Sequence, residues 1–262
     1  MLRPRFIPCL LVRNKGLVKT VRFKDGKYVG DPINAVKIFN EKEADELMVL
    51  DIDATSQDRG PDYTMIQRLA AECRMPLCYG GGVRSAADAR RIIGLGVEKV
   101  SISAAALANP GLITDIADAV GSQSVVVVLD ARKKMLGSRW EVMTRNGTMG
   151  TGRCPIETAA EAERLGAGEI VVNSVDNDGV MKGYDLALAE RVRAATSVPL
   201  TILGGAGSLD DVEALVARFG IIGAAVGSLF VFKGPYKAVL INYPSQAERD
   251  RIAQVGRRAQ AV

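Results

Sequence analysis

Short apolar runs alternate along the chain with longer stretches in which apolar residues recur every three or four positions. Short β-branched runs are typical of buried strands, and the longer stretches are typical of amphipathic helices. The pattern predicts strands near residues 5–12, 47–52, 76–80, 97–103, 124–130, 168–174, 198–204 and 221–227. Between them it predicts helices at residues 33–43, 63–72, 86–95, 110–120, 156–165, 186–195 and 209–218.

This regular alternation of strand and helix predicts a parallel sheet that is covered by helices. Eight such units, with no glycine-rich dinucleotide motif after the first strand, favour a closed barrel over an open sheet. A barrel of this kind needs about 250 residues, and the chain has 262. We therefore predict an α/β fold, a (β/α)8 TIM barrel, as a single domain over residues 1–262.

The chain also contains a long internal repeat, because residues 46–107 match residues 169–230 at one constant offset. The offset pairs Glu46 with Glu169, Asp53 with Asp176, Pro76 with Pro199, Gly81 with Gly204, Ser85 with Ser208 and Asp88 with Asp211. A repeat of this length indicates that a large supersecondary unit was duplicated. The predicted barrel therefore consists of two half-barrels, at about residues 1–120 and 121–240.

Two predicted connections are longer than the usual few residues, and they occupy equivalent places in the two halves. Residues 13–32 follow the first strand, and residues 131–152 follow the fifth. Both leave the carboxyl end of a strand, the face where barrel enzymes hold their active sites. Within the second connection, residues 139–147 predict a small hairpin. The polar sequence after Tyr243 predicts a poorly ordered tail.

The composition limits the chemistry. Hydrophobic residues make up 48% of the chain and charged residues 24%, which is typical of a globular protein with a sizeable core. The net charge of +4 suits an anionic small molecule, and no basic run is long enough to track nucleic acid. The chain has no histidine, which excludes histidine triads and histidine-ligated metals. We expect neither a metal nor a cofactor.

Cysteine usage and hydropathy indicate the compartment. Cys9, Cys73, Cys78 and Cys154 form no CxxC motif, so we expect buried apolar side chains in a reducing environment. No stretch approaches the roughly 18 apolar residues of a membrane span. The apolar run 6–12 lacks the cleavage site of a signal peptide. These observations predict a cytoplasmic protein that does not bind a membrane.

Glycine-rich turns follow corresponding strands of the two halves, at residues 80–82 and 204–207. Glycine lets backbone N–H groups approach a phosphate, and the following helix adds its positive N-terminus. The next strands end in small residues too, at 103–105 and 227–228, and we count Ser103 among the candidate phosphate-binding residues. Two such turns on opposite sides of one mouth predict a ligand with two phosphates. The alternative is that these glycines only make tight turns.

Acidic residues stand at the ends of predicted strands: Asp51, Asp53, Asp130, Asp176 and Asp178. Carboxylates at this edge can act as general acid or base when they are partly desolvated. Helix capping or a solvated loop charge is the alternative, and it is strongest for Asp53 and Asp178. Asp130 closes an apolar run, which predicts that its side chain points into the barrel mouth. We take Asp130 and Asp176 as candidate catalytic carboxylates.

The first and fifth predicted strands differ at one informative position, because Leu11 falls where Asp130 falls. If Asp130 is one half of an acid/base pair, its partner carboxylate is therefore missing. At the opposite end of the barrel, Arg5, Glu46, Lys99 and Glu169 stand near the starts of four strands. These four charges either form a ring at the N-terminal mouth or are ordinary strand-entry charges, which individually contribute little.

Taken together, residues 5–10, 45–54, 80–85, 99–106, 121–132, 166–183 and 204–207 resemble the cyclase subunit of imidazole glycerol phosphate synthase. The resemblance covers essentially the whole chain. It implies a duplicated half-barrel that receives ammonia from a glutaminase subunit docked at the N-terminal face, as a heterodimer. The ammonia is used at the top of the barrel on a phosphorylated small molecule, a bisphosphorylated ribulose-type nucleotide.

The resemblance also implies residue roles. Arg5, Glu46, Lys99 and Glu169 match the ammonia gate, Lys19 matches a mobile-loop lysine with a catalytic role, and Asp130 matches one catalytic aspartate. Phosphate contacts are implied at Gly82, Asp178, Gly179, Gly205, Gly227 and Ser228, and Ser103 stands where the family has an asparagine. Leu11 stands where the family has its other catalytic aspartate, and leucine cannot transfer a proton.

This departure resembles a paralogous branch of the family that is associated with acetamidino-sugar formation in bacterial surface polysaccharides. In that branch the barrel pairs with a glutaminase and serves a separate sugar amidotransferase. Residues 27–34 and 227–232 also resemble this branch. The alternatives are the cyclase of histidine biosynthesis itself, a non-catalytic ammonia conduit or scaffold, and a related sugar-phosphate isomerase. The isomerase shares the half-barrels and also needs two carboxylates, so Leu11 counts against it as much as against the cyclase.

Overall fold

The computed structural model describes residues 3–134 and 139–260, and side chains as far as residue 257. The strands are β1 Arg5–Arg13, β2 Gly16–Val21, β3 Lys24–Gly30, β4 Leu47–Asp51, β5 Leu77–Gly80, β6 Lys99–Ile102, β7 Val125–Lys133, β8 Trp140–Thr144, β9 Met149–Gly150, β10 Glu169–Ser174, β11 Leu200–Leu203, β12 Gly223–Val226, β13 Phe232–Lys233 and β14 Ala238–Val239. The helices are α1 Pro32–Glu41, α2 Tyr63–Glu72, α3 Ala86–Gly94, α4 Ala104–Ala108, α5 Gly111–Val120, α6 Pro155–Arg164, α7 Leu186–Ala195, α8 Leu209–Phe219 and α9 Gln246–Gln260.

Within these described ranges, eight strands close into a parallel barrel in the order β1, β4, β5, β6, β7, β10, β11, β12 and back to β1. Each predicted strand overlaps one of them, and the helices lie between successive strands. The prediction of a (β/α)8 TIM barrel is therefore confirmed. The helices predicted at 63–72 and 186–195 match α2 and α7 at both ends.

The barrel strands bury side chains on both faces, which explains why they read as continuous apolar runs. The side chains that pack inside the barrel are Ile7, Cys9, Met48, Cys78, Val126, Val128, Val171, Leu203 and Ala225. Alternate residues, such as Phe6 and Leu10, belong to the larger cluster between strands and helices. Full burial of one such Leu or Val stabilises the fold by about 1.5–3 kcal/mol. Cysteine burial was predicted correctly for Cys9 and Cys78, whereas Cys73 and Cys154 are only half-buried.

The two halves begin equivalent helices in the same way. The Ser85 hydroxyl accepts a hydrogen bond from the Asp88 amide at 3.1 Å, and the Ser208 hydroxyl accepts one from the Asp211 amide at 3.3 Å. A serine at this position satisfies one of the free N–H groups at a helix start. The repeat seen in the sequence therefore extends to the turns that direct α3 and α8 away from the barrel mouth.

Both long connections contain antiparallel hairpins that extend barrel strands. In the first, β2 pairs with β1 and with β3. In the second, β8 pairs with β7 and with β9, and residues 135–138 lie outside the described residues. The turn between β8 and β9 holds Arg145, Asn146 and Gly147 at φ of 51°, 54° and 71°. The hairpin predicted from residues 139–147 is confirmed.

The prediction of a poorly ordered tail is wrong for the described residues, because α9 packs against the barrel. Its Arg249 is only 3% exposed and forms an ion pair with Asp45 at 2.6 Å. The same guanidinium donates to the Glu43 carbonyl at 3.0 Å, and Ile252 and Ala253 are buried beside it. The sequence analysis missed the packing of this helix because the sequence is polar, and because the buried face is narrow and includes the charged residue Arg249.

Candidate functional site

A cavity of about 800 Å³ opens at the carboxyl ends of the barrel strands, and we call it the mouth cavity. Its lining comes from both halves and from both hairpins. Of the predicted site residues, it includes Lys19, Gly82, Ser103, Asp130, Asp178, Gly227 and Ser228. The barrel geometry accounts for this convergence, because parallel strands deliver their last residues to one rim.

Asp130 lies near the end of β7 and lines the mouth cavity, as predicted. Its carboxylate accepts a hydrogen bond from the Asn173 side-chain nitrogen at 3.0 Å. Burial raises the pKa of Asp130 to about 7, although this hydrogen bond opposes the increase, and nearby Asp178 adds to it. A carboxyl with a pKa near neutral pH can both give and accept a proton, which suits general acid/base catalysis.

The position opposite in the duplicated half is apolar. Leu11 pairs with Leu50 across β1 and β4, whereas Asp130 pairs with Asn173 across β7 and β10. All four residues line the mouth cavity. We call Asp130 and Asn173 the polar pair, and Leu11 and Leu50 the leucine pair. Position 11 is therefore part of the cavity wall, and it carries leucine instead of a carboxylate.

Lys19 reaches the cavity from β2 and is only 5% exposed. Its ammonium donates to the Cys9 carbonyl at 2.6 Å. Burial lowers the pKa of Lys19, although Cys9 and Asp178 oppose the decrease. Gly227 leaves room for it, because a Cβ at position 227 would lie 3.2 Å from the Lys19 Nζ.

The hairpin that carries Lys19 is docked on the loop after β10. Asp178 accepts hydrogen bonds from the Thr20 hydroxyl at 2.7 Å and the Phe23 amide at 3.1 Å. Burial raises the pKa of Asp178 despite these bonds. The Thr20 carbonyl comes so close to Gly179 that any side chain there would collide with it. Glycine at this position therefore allows the hairpin to close.

Asp176, a candidate catalytic residue, is not among the residues that line the cavity. Its carboxylate accepts a hydrogen bond from the Lys133 amide at 2.8 Å and holds the two loops together. Gly179 and Gly205 also lie outside the lining, and Gly205 is required by its close approach to the Gly183 carbonyl. Asp176 was a candidate because it follows a predicted strand, but its carboxylate binds the Lys133 amide instead of lining the cavity.

Asn173 is a cavity residue that the sequence analysis missed. The repeat could have identified it, because Asn173 corresponds to Leu50 and a polar residue therefore replaces an apolar one at this place. Two further groups were also missed: Arg84 and Asn109 from the loops of the first half, and Arg145 and Arg153 from the second hairpin. No local pattern marks those four, since they enter the cavity only through loop packing.

At the other end of the barrel, Arg5, Glu46, Lys99 and Glu169 form a closed cycle of alternating charge, which we call the charge ring. The Arg5 guanidinium contacts Glu46 at 2.5 Å and Glu169 at 2.7 Å. The Lys99 ammonium contacts the same carboxylates at 2.7 and 2.8 Å. The four residues therefore act as one unit, and not as separate strand-entry charges.

The two carboxylates of the charge ring are buried, since Glu46 and Glu169 are each 3% exposed, whereas the side chains of Arg5 and Lys99 are half-buried. Burial by itself would raise the pKa of Glu169, but Arg5 and Lys99 outweigh it and hold the pKa below its usual value. Thr201, which the sequence analysis missed, donates to Glu169 at 2.6 Å. Above the ring lie the apolar side chains of the barrel interior.

None of the helices in residues 3–134 and 139–260 is long and apolar enough to cross a membrane. Over the same part of the chain, no cluster of Cys, Asp or Glu side chains has the arrangement that could hold a metal ion.

Comparison with known proteins relates the whole barrel to one group. The family model described as "Histidine biosynthesis protein" matches residues 5–237. A Vibrio vulnificus protein named "Putative imidazole glycerol phosphate synthase subunit hisF3" is 58% identical over 255 residues, 97% of this chain and 98% of that protein. A Pseudomonas aeruginosa protein named as putative subunit hisF2 is 52% identical over 250 residues, 95% of this chain and 99% of that protein. "Imidazole glycerol phosphate synthase subunit HisF" of Exiguobacterium sibiricum is 43% identical over 231 residues, 88% and 91% of the two chains.

Proposed function

The chain belongs to the histidine biosynthesis protein family, and from that premise we propose that it is the ammonia-accepting, cyclase-like synthase subunit of a glutamine amidotransferase. The observation that carries this proposal is the pairing of two features at opposite ends of one barrel. A charge ring with two buried carboxylates stands at the N-terminal end, and a cavity lined by the carboxyl of Asp130 opens at the other. An apolar interior lies between them.

The charge ring serves in this proposal as the gate through which ammonia enters. A glutaminase subunit docks over the N-terminal face and buries at least about 1,000 Å² of surface. The interior side chains cannot solvate a charge, so the nitrogen passes as neutral ammonia. Opening one contact of the ring admits ammonia while the remaining contacts keep the four charged groups paired.

At the mouth cavity, Asp130 is the proposed general acid/base and Lys19 the proposed cation beside the reacting group. Gly82 and Ser103 offer backbone groups on one side for a phosphate, and Gly227 and Ser228 on the other. Asp178 fastens the hairpin that brings Lys19 inwards. Asp176 is left out of this set because it does not line the cavity. The ligand is a small molecule with two phosphate groups.

Leu11 favours the branch that forms acetamidino sugars over the histidine-pathway cyclase. A barrel with one carboxyl at the polar pair and leucine opposite is less suited to a ring closure that requires two proton transfers. The names hisF3 and hisF2 among the relatives fit a paralogue. The Exiguobacterium sibiricum relative, at 43% identity, is named HisF without a number. For this reason the histidine-pathway cyclase is the second candidate.

The deciding experiment combines the purified chain with a glutaminase subunit from the same organism. We expect co-purification, stimulation of glutamine hydrolysis by the barrel, and poor turnover of the histidine-pathway nucleotide with an ammonium salt. Full turnover of that nucleotide would establish the second candidate instead. A complex that transfers nitrogen only when the sugar amidotransferase is added would make the barrel a conduit. Absence of both complex and stimulation would overturn the proposal.

A further inference from the structure

The mouth cavity is asymmetric, although the fold around it is duplicated. The leucine pair and the polar pair occupy the same strand register in the two halves. The chain therefore holds, in one molecule, two versions of the same structural position. One version is apolar, and the other joins a carboxyl to an amide. Comparing the two positions shows which contact the Asn173 amide provides: a hydrogen bond to the carboxylate of Asp130.

Within the described residues, the Asn173 side chain donates a hydrogen bond to Asp130 at the wall of the mouth cavity. It is 5% exposed, and its amide nitrogen lies 3.0 Å from the Asp130 carboxylate. Its amide oxygen is buried without a hydrogen-bond partner in the described structure. A Cβ at position 204 would lie 3.0 Å from this oxygen, so the glycine there leaves room for the amide to stand in this orientation.

We propose that Asn173 is a positioning residue that holds the Asp130 carboxyl towards the cavity and stabilises its ionised form. This inference deepens the proposed function, on which the catalytic role of Asp130 rests. The contact between the two residues does not depend on that function. With leucine at the equivalent place in the other half, the carboxyl of the polar pair must be kept in a usable orientation and protonation state, and the Asn173 amide supplies both.

The other groups around Asp130 do not supply this restraint. Asp178 faces it with a like charge, and the Cys9 thiol lies near enough to interact with it. Lys19 is engaged with the Cys9 carbonyl. On the β8 side, Met143 stands opposite in register and carries no charge. The hydrogen bond from Asn173 therefore opposes the burial that raises the pKa of Asp130.

The test is a carbon-13 NMR titration of labelled aspartate carboxyls in the full chain, with Asp130→Asn used to assign the signal. Asn173→Leu copies the residue that the other half holds at this register and removes the donor. We expect its Asp130 midpoint to move upwards by about one to two pH units, because a hydrogen bond to a charged group is lost. Asn173→Thr keeps a donor and should move the midpoint less.

Leu50→Asn is the matched control, because it adds an amide at the equivalent place in the opposite half. It should leave the Asp130 midpoint unchanged. An unchanged midpoint in Asn173→Leu, or an equal movement in Leu50→Asn, would overturn the inference. Should Asn173→Leu not fold, Asn173→Ala carries the same expectation and the same refutation.

A kinetic measurement separates this inference from the proposed function. With an ammonium salt and the histidine-pathway nucleotide as the probe, Asn173→Leu should lower the kcat of wild type by up to about 10²-fold with little change in KM. A wild-type chain that transfers nitrogen from no source would overturn the proposed function, while the titration would still decide the inference. A change in KM alone would make Asn173 a ligand contact and overturn its positioning role.

Discussion

At the scale of single residues, the acid/base chemistry available in the mouth cavity depends on the residues at positions 11 and 130. Burial gives Asp130 a pKa near neutral pH, whereas Leu11 cannot exchange a proton. Both side chains sit on barrel strands, so neighbouring strands restrain them and they can be exchanged without rebuilding a loop.

Leu11→Asp should raise ammonia-dependent turnover of the histidine-pathway nucleotide. The loss of one acid/base group typically costs about 10²–10⁴-fold in rate, and the variant should recover part of this. Turnover with an ammonium salt is the measurement, with Leu50→Asp as the control on the adjacent strand. Wild-type turnover at the full rate of a cyclase with two aspartates would contradict the prediction.

Asp130→Asn should stabilise the protein at alkaline pH. The folded-state pKa of about 7 exceeds the ordinary value of 3.8, so the folded state binds the proton more tightly. Wild type therefore loses stability as the pH rises between about 4 and 7. The variant should gain on the order of a few kcal/mol in unfolding free energy at pH 8 and almost nothing at pH 4.

Urea unfolding at the two pH values checks this prediction. Asp58→Asn is the control, because its carboxylate also borders the cavity but is 89% exposed. It should show no pH-dependent gain. Equal effects of the two substitutions would mean that the burial of Asp130 does not oppose folding.

At the scale of elements, two segments outside the barrel strands shape the molecule. The β2–β3 hairpin docks on the loop after β10 through Thr20, Phe23 and Asp178, and it carries Lys19 to the cavity. Helix α9 packs beside the N-terminal rim through Arg249 and Asp45. Each segment depends on contacts between parts of the chain that are more than 150 residues apart.

Arg249→Ala should lower the unfolding free energy by about 3–5 kcal/mol, because it leaves the carboxylate of Asp45 without its buried partner. Arg251→Ala is the matched control two residues along the same helix. Its ion pair with Glu213 is exposed, with the arginine side chain at 54%, and should contribute less than about 1 kcal/mol. Chemical denaturation of both variants tests this, and similar losses would show that α9 contributes through its helix content alone.

At the scale of the whole molecule, the charge ring and the mouth cavity stand at opposite ends of a packed barrel. The apolar barrel interior lies between them, so in the proposed function ammonia passes from one to the other through this interior. If ammonia takes this route, damage to the ring changes how completely nitrogen reaches the cavity. The glutaminase reaction itself can continue.

Lys99→Met should therefore uncouple the complex, so that glutamate forms without a matching amount of aminated product. The substitution leaves Glu46 and Glu169 sharing Arg5 alone, so a loss of about 3–5 kcal/mol in stability accompanies it. The ratio of glutamate to product is the measurement. Arg3→Ala removes an exposed ion pair near the same rim and should keep the ratio of wild type. An unchanged ratio in Lys99→Met would remove the ring from the ammonia route.

Much of the architecture was predictable from the sequence because its determinants are local or repeated. Strands buried on both faces produce apolar runs, and helices produce a period of three to four residues. The repeat then located equivalent turns, which begin α3 and α8 at Ser85 and Ser208. Comparison of the two halves also showed that Leu11 stands at the position equivalent to Asp130. The four ring charges could be named as well, since strand starts meet at one end of a barrel.

The tertiary structure decided which of those residues act together. Asp176 and Asp178 are neighbours in sequence, yet only Asp178 lines the cavity, because the loop after β10 turns between them. The partner of Asp130 is Asn173 on the adjacent strand, a pairing set by strand register. Helix α9 is ordered by an ion pair with Asp45, about 200 residues away in sequence. Periodicity depends on residues that are close along the chain, so it can be read from the sequence. A site depends on residues that are close in space, and here closure of the barrel brings them together.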